Sequence, residues 1–214
     1  MLKLVLFTIL TVSSSFANST VTNSVVILAL GDSLTAGYGL ARDDSFPRQL
    51  EISLATSGYT VTVINAGVSG DTSAGGLARL EWALAVNPQI VLVELGANDA
   101  LRGLDPAQTY DNLDQILIRL KKAGCRIVFA GMRAPRNLGL DYTLEFDQIY
   151  PDLAERHDLY FYPFFLEGVA TDPGLNQADG IHPNAEGVGV VVKGIQPLVV
   201  KAIEEVMDTK KRLE

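Results

Sequence analysis

Five short runs rich in β-branched residues begin roughly 30–36 residues apart, and this spacing, the length of a βαβ unit, limits the fold more than any other feature of the chain. The runs are Val25 to Leu30, Thr60 to Ile64, Ile90 to Leu95, Arg126 to Ala130 and, more weakly, Leu159 to Tyr162. Most are continuously apolar rather than alternating, as expected for strands covered by helices on both faces. Between them, Asp105-Pro106 opens a helix that runs through Leu113, Ile116, Leu117 and Leu120 to Ala123, with Gly124 as its stop. Asp141 to Arg156 and Asn184 to about Met207 read as two further helices. The pattern predicts an α/β fold, a three-layer α/β/α sandwich around a five-stranded, mostly parallel sheet. No linker or composition break interrupts it, so residues 18–214 are read as one domain.

The amino terminus reads differently. Met1, Leu2 and Lys3 precede the apolar run Leu4 to Val12, followed by Ser13-Ser14-Ser15-Phe16-Ala17. That is the pattern of a secretory signal, residues 1–17, cleaved after Ala17. The apolar run reaches only about half of the ~20 residues a membrane span needs. The late run Val188 to Val200 is broken by Lys193, Gly194 and Pro197. The expectation is export to the periplasm or beyond, with no membrane anchor once the signal is removed. Cys125 is the sole cysteine, which excludes an internal disulfide and any Cys-based zinc site. It precedes a buried strand and reads as a small core residue. A net charge of -8 lacks the footprint of a nucleic-acid binder and is repelled by anionic bilayers.

In open α/β sheets, ligands bind where loops leave the carboxyl ends of the strands. Those segments here are Gly31-Asp32-Ser33-Leu34, Gly67-Val68-Ser69-Gly70-Asp71-Thr72, Gly96-Ala97-Asn98-Asp99 and, late in the chain, Asp179-Gly180-Ile181-His182-Pro183-Asn184. Together they hold the groups that acyl transfer requires. A serine hydroxyl is a weak nucleophile at neutral pH and needs a base, so Ser33 is paired with His182. The base needs an acceptor on its other ring nitrogen, and Asp179 lies three residues upstream. The amides of Ser33 and Gly70 and the side chain of Asn98 are the candidate oxyanion donors.

These four blocks, in this order, resemble the SGNH hydrolase superfamily, also called GDSL esterases, over essentially the whole mature chain. The similarity is greatest to the bacterial thioesterase I, lysophospholipase and arylesterase group, with Ser69-Gly70-Asp71-Thr72-Ser73, Gly76-Leu77-Ala78-Arg79-Leu80, Val93-Glu94-Leu95-Gly96 and Ile149-Tyr150-Pro151-Asp152-Leu153-Ala154 as further shared stretches. The resemblance implies a flavodoxin-like sheet and a serine esterase that needs no cofactor or metal. Its substrates would be aryl and short-to-medium acyl esters, with thioesters and lysophospholipids as extensions. It also implies that the loop Met132 to Tyr142, carrying Arg133, Pro135, Asn137 and Leu138, lines the acyl site and moves on ligand binding. Leu138, Leu140, Phe164 and Phe165 fit either an acyl groove or the core.

Asp32, Asp71 and Asp99 stand at adjacent strand ends and suggest a divalent cation for phosphoryl chemistry. Each, however, adjoins a block residue and is equally suited to bonding loop amides. No Walker-type phosphate loop and no Gly-x-Ser-x-Gly elbow occur. A carbohydrate O-acetylesterase and a non-catalytic binding module on the same fold are the remaining alternatives. His157, among Glu155, Arg156 and Asp158, reads as solvated and inert.

Overall fold

The computed structural model describes residues 24–213, so the predicted signal segment lies outside the described residues. Five strands, β1 (Val25–Gly31), β2 (Val61–Gly67), β3 (Ile90–Glu94), β4 (Arg126–Ala130) and β5 (Tyr160–Tyr162), form one sheet in the order β2-β1-β3-β4-β5. Every neighbouring pair is parallel. The chain steps outward from β1 to β2 and then crosses back to β3, so the strand order reverses between β1 and β3. A crevice opens at such a reversal, beyond the carboxyl ends of the strands.

Register aligns those ends. Gly67 pairs with Gly31, Gly31 with Glu94, Glu94 with Ala130, and Ala130 with Tyr162. One row of residues therefore closes the whole sheet, and the loops bearing Ser33, Gly70 and Asn98 all leave from it.

The strands form where the apolar runs predict, with instructive differences at the edges. β1 and β3 are buried almost throughout, consistent with coverage on both faces. β2 extends three residues past the expected Ile64, because Asn65, Ala66 and Gly67 continue the pairing with β1. As an edge strand it is only partly buried. Its Val63 N–H is taken up by Glu51 Oε2 at 2.8 Å, which blunts the open edge. β5, the opposite edge, is shortened to three residues.

Helices α2 (Phe46–Thr56) and α8 (Ala185–Leu213) pack together on one face of the sheet. α6 (Pro106–Lys122) and α7 (Leu140–His157) pack together beside α3 (Ser73–Ala78), which α4 (Leu80–Leu84) follows. The α6 helix begins as its sequence requires, with Asp105 Oδ1 accepting the Ala107 N–H at 2.9 Å and Pro106 at the first position. Its buried stripe of Thr109, Leu113, Ile116, Leu117 and Leu120 has helical period. α8 is capped by Asn184, whose side-chain oxygen accepts the Gly187 N–H at 2.9 Å, and it runs six residues beyond the expected Met207. Its buried face is Val188, Val191, Val192, Ile195, Val199, Ile203 and Val206. Each such side chain, fully buried, contributes about 1.5–3 kcal/mol relative to exposure. The sequence does not predict α2, α3 or α4, because α2 and α3 interrupt short apolar stripes with Ser, Thr, Gly or Pro and α4 is only five residues long.

His157 departs from expectation. It is buried, with Nε2 2.6 Å from Asp114 Oδ1, and Lys121 Nζ donates to its carbonyl at 2.5 Å. The charges on either side of it point to solvent, while the α7 stripe Phe146, Ile149, Tyr150, Leu153 and His157 faces inward. Cys125 is buried as expected, and burial raises its thiol pKa.

Candidate active site

Directly after β1, Asp32 caps the one-turn helix α1 (Ser33–Ala36) by accepting the Leu34 N–H at 2.9 Å. This places Ser33 at the first helical position, half-buried, with its hydroxyl turned outward over the sheet rim. Its Oγ lies 3.0 Å from His182 Nε2, across 149 residues of chain. The other ring nitrogen, Nδ1, is 2.7 Å from Asp179 Oδ2. Because a carboxylate only accepts, Nδ1 carries the proton and Nε2 presents its lone pair to the serine.

The Asp179–His182 turn is closed by its own backbone. Asp179 Oδ1 accepts the N–H groups of Ile181 at 2.9 Å and His182 at 3.0 Å. These amides, together with the imidazole, hold the Asp179 carboxyl down at about 2, below the usual carboxylate range. Gln177 fastens the turn from behind, its N–H donating to the His182 carbonyl at 2.8 Å and its Nε2 to the Pro183 carbonyl at 2.9 Å.

Two further candidate residues, Asn98 and Gly70, lie on the segments that leave β3 and β2. Asn98 enters from the helix α5 (Ala97–Leu101) that follows β3, and its Nδ2 donates to Asp32 Oδ2 at 2.9 Å. That bond fixes the side-chain amide and leaves its second hydrogen free. The helix is reached through Gly96 at φ +114°, where a Cβ would stand 2.0 Å from the Tyr150 hydroxyl. Gly70, at φ +83°, sits in the loop after β2. Arg102 Nη2, just beyond α5, donates to its carbonyl at 2.7 Å and so draws the Gly70 loop toward the Asn98 helix.

A second arginine joins the loop to the nucleophile. Arg79 spans the ends of β1 and β2, with Nη2 donating to the Gly31 carbonyl at 2.9 Å and Nη1 to the Ala66 carbonyl at 2.8 Å. Its Nε donates to Asp71 Oδ2 at 2.6 Å. One guanidinium thus holds residues adjacent to the Ser33 and Gly70 segments in fixed relation.

Beneath the nucleophile lies a pair of buried carboxyls. Glu94 Oε2 accepts the Thr35 hydroxyl at 2.7 Å and the Asp32 N–H at 3.4 Å, while Oε1 is buried without a protein partner. Burial, reinforced by the neighbouring Asp32, pushes the Glu94 carboxyl well above the ordinary range. Burial also pushes Asp32 up to about 6, opposed by the Leu34 amide, Asn98 and His182. Asp32 holds the serine helix with one oxygen and Asn98 with the other.

The predicted residues divide into two sets. Ser33, Asp179 and His182 form one hydrogen-bonded chain, and Asn98 and Gly70 are bound into the surrounding loops. Arg133, Pro135, Asn137 and Leu138 make no hydrogen bond to that chain. Arg133 lies 4.6 Å from the Phe164 ring centroid, and the loop is pinned to α7 by the Ala134 N–H donating to Asp147 Oδ1 at 2.8 Å. Phe165 belongs to the core, whereas Leu140 is exposed. The three strand-end aspartates do not converge. Asp71 binds Arg79, and Asp99 accepts from the Ser73 amide and hydroxyl. The described residues include no cluster of three His, Cys, Asp or Glu side chains placed to hold a metal ion. A concavity of about 550 Å³ lined by Leu84, Pro88, Cys125 and Val206 opens at the opposite rim and holds none of the site residues.

Glu94, Thr35, Arg79, Arg102 and Gln177 receive no role from the sequence. Glu94 and Arg79 lie in stretches shared with the resembling family, and Glu94 also stands out as a lone charge closing an apolar strand.

The chain is similar in sequence and fold to several known proteins. Residues 29–190 match the model of the GDSL-like Lipase/Acylhydrolase family. An arylesterase of Vibrio mimicus is 40% identical over 202 residues, covering 94% of this chain and 98% of that protein. The thioesterase 1/protease 1/lysophospholipase L1 of Escherichia coli (strain K12) is 43% identical over 178 residues, covering 81% of this chain and 84% of the relative. Among solved structures, AlinE4, described as an SGNH-hydrolase family esterase, is 50% identical with a TM-score of 0.71, covering 84% of this chain and 96% of that one.

Proposed function

Since this chain belongs to the GDSL-like lipase/acylhydrolase family, we propose that it hydrolyses aryl and short-to-medium acyl esters through an acyl-enzyme on Ser33. Thioesters and lysophospholipids extend the range, in keeping with the relative from Escherichia coli. The observation that carries the reading is the unbroken chain Ser33 Oγ, His182 Nε2, His182 Nδ1, Asp179 Oδ2, with contacts of 3.0 and 2.7 Å.

The chemistry follows from those contacts. Ser33 Oγ bonds to the ester carbonyl carbon as its proton passes to His182 Nε2. Asp179 keeps the ring in the required tautomer and balances the imidazolium. The carbonyl oxygen gains charge and rests on the Ser33 and Gly70 amides and on Asn98 Nδ2, where each donor contributes roughly 3–4 kcal/mol to the transition state. The bond from carbonyl carbon to leaving oxygen or sulfur then breaks, and that atom takes the proton from Nε2. Water repeats the sequence on the acyl-serine and releases the acid. No redox step or cofactor enters.

The segment 1–17 supports export ahead of this activity, with fractionation of expressing cells as its test. Turnover of p-nitrophenyl acetate and butyrate tests the function. Wild type hydrolyses both, and Ser33→Ala loses about 10⁴–10⁶ in kcat. Near wild-type turnover in Ser33→Ala contradicts the assignment.

A further inference from the structure

We propose that Tyr38 is a specificity-determining residue that receives the aromatic part of an aryl-ester leaving group. The inference deepens the ester-hydrolase reading and rests on it.

Tyr38 packs against the imidazole of His182. Its ring centroid is 4.7 Å from that of His182, with the planes inclined at 37°. The side chain is nevertheless 54% exposed, and its hydroxyl has no protein partner among the described residues. An aromatic ring left in water next to a catalytic base is neither core nor part of a hydrogen-bond network.

Its mounting is rigid. The Tyr38 N–H donates to the Ser33 carbonyl at 3.1 Å, and its own carbonyl accepts from Gln177 Nε2 at 2.8 Å. Gln177 is the residue whose N–H holds the His182 carbonyl. Nucleophile, base and the Tyr38 backbone therefore share one hydrogen-bonded frame, which sets the ring against the imidazole.

Chemistry places the leaving group against it. His182 Nε2 must deliver its proton to the departing oxygen, which brings that oxygen within about 2.6–3.2 Å of Nε2. The carbonyl oxygen turns instead toward the amides of Ser33 and Gly70 and the side chain of Asn98. Whatever is bonded to the departing oxygen lies beside the imidazole, within the ~4.5–7 Å at which aromatic rings pair with the ring of Tyr38. An aryl group gains from that contact and a small alkyl group does not. Aromatic pairing changes affinity by roughly three- to tenfold.

The test compares kcat/KM, which reports acylation, for phenyl and 2-naphthyl acetate against ethyl and cyclohexyl acetate. All four pass through the same acetyl-enzyme, so intrinsic leaving-group reactivity cancels when each variant is divided by wild type. Tyr38→Ala is expected to lower the aryl-to-alkyl ratio by about three- to tenfold, and Tyr38→Phe to preserve it. An unchanged ratio in Tyr38→Ala overturns the proposal. So does an equal fall for all four esters, which assigns the ring to the imidazole itself. Turnover in Ser33→Ala, run alongside, reports separately on the underlying serine-esterase reading.

Discussion

Replacing Arg79 with methionine separates what holds the fold from what sets the catalytic geometry. The Arg79 side chain is 17% exposed and its guanidinium makes three bonds of 2.6–2.9 Å, to the Asp71 carboxylate and to the Gly31 and Ala66 carbonyls at the ends of β1 and β2. Hydrogen bonds to a charged group contribute about 1.5–3 kcal/mol each. Water reaches part of the vacated site, so the summed loss shrinks to about 3–5 kcal/mol, the range for breaking a partly buried pair. For a chain of this size that lowers Tm by about 6–20 °C. The functional effect has a different origin. Asp71 follows Gly70, and Gly31 lies two residues before Ser33, so losing the clamp frees the two amides proposed as oxyanion donors to drift apart. A displacement of ~1 Å costs about 10² in rate. Arg79→Met is therefore expected to lower kcat about 100-fold while KM changes only a few-fold, and to slow organophosphate phosphorylation of Ser33 in parallel. Arg79→Lys keeps a charge near Asp71 but lacks the fork that spans both carbonyls. Its stability recovers more than its kcat. The assays are urea unfolding and steady-state kinetics at a temperature where each variant is folded. A kcat within threefold of wild type in Arg79→Met refutes the argument and leaves the clamp a purely structural role.

Three further outcomes follow from the charged groups. Asp32 titrates near 6 in the folded protein, against ~3.9 when unfolded, so its contribution to stability is fully present below pH ~4 and lost as pH rises through 6, by at most about 3 kcal/mol. Urea unfolding of wild type and Asp32→Asn at pH 4.5 and 7.5 is expected to show the wild type losing ground to the variant at the higher pH, and a constant difference contradicts this. Asp179 has the opposite sign: its carboxylate favours the folded state above pH ~4, and that contribution disappears as pH falls through about 2. A carboxyl ¹³C titration should find that midpoint, and one near 4 contradicts the closed turn. Asp114→Ala leaves the buried His157 nitrogen unpaired and is expected to cost about 1–3 kcal/mol in unfolding experiments, with kcat for p-nitrophenyl acetate unchanged. A stability within 0.5 kcal/mol of wild type, roughly the scatter of surface substitutions, contradicts the pairing.

The catalytic loops were legible because the chemistry is concentrated where apolar runs stop. Gly31, Gly67 and Gly96 each close or follow a strand, and a polar residue with a distinct chemical role comes within four positions of each. The supporting residues were not legible, since Arg79 and Gln177 act through backbone carbonyls brought near only by the finished sheet. The β2 boundary was missed because Asn65-Ala66-Gly67 has turn composition, yet pairing with β1 extends the strand through it. His157 was misread from its neighbours in sequence. Its position one turn after Leu153 on the apolar stripe of α7 already marked it as inward-facing. The acyl-loop expectation for residues 132–142 came from resemblance alone, and the side chains there bind α7, Glu167 and Phe164.

The most direct test of the central claim is covalent labelling with diethyl p-nitrophenyl phosphate, followed by intact-mass measurement and peptide mapping. The expected result is a single diethylphosphoryl adduct on Ser33, formed at a rate that collapses in His182→Ala and is absent in Ser33→Ala. An adduct on another residue, or full ester hydrolysis by enzyme that the reagent leaves unmodified, contradicts the account.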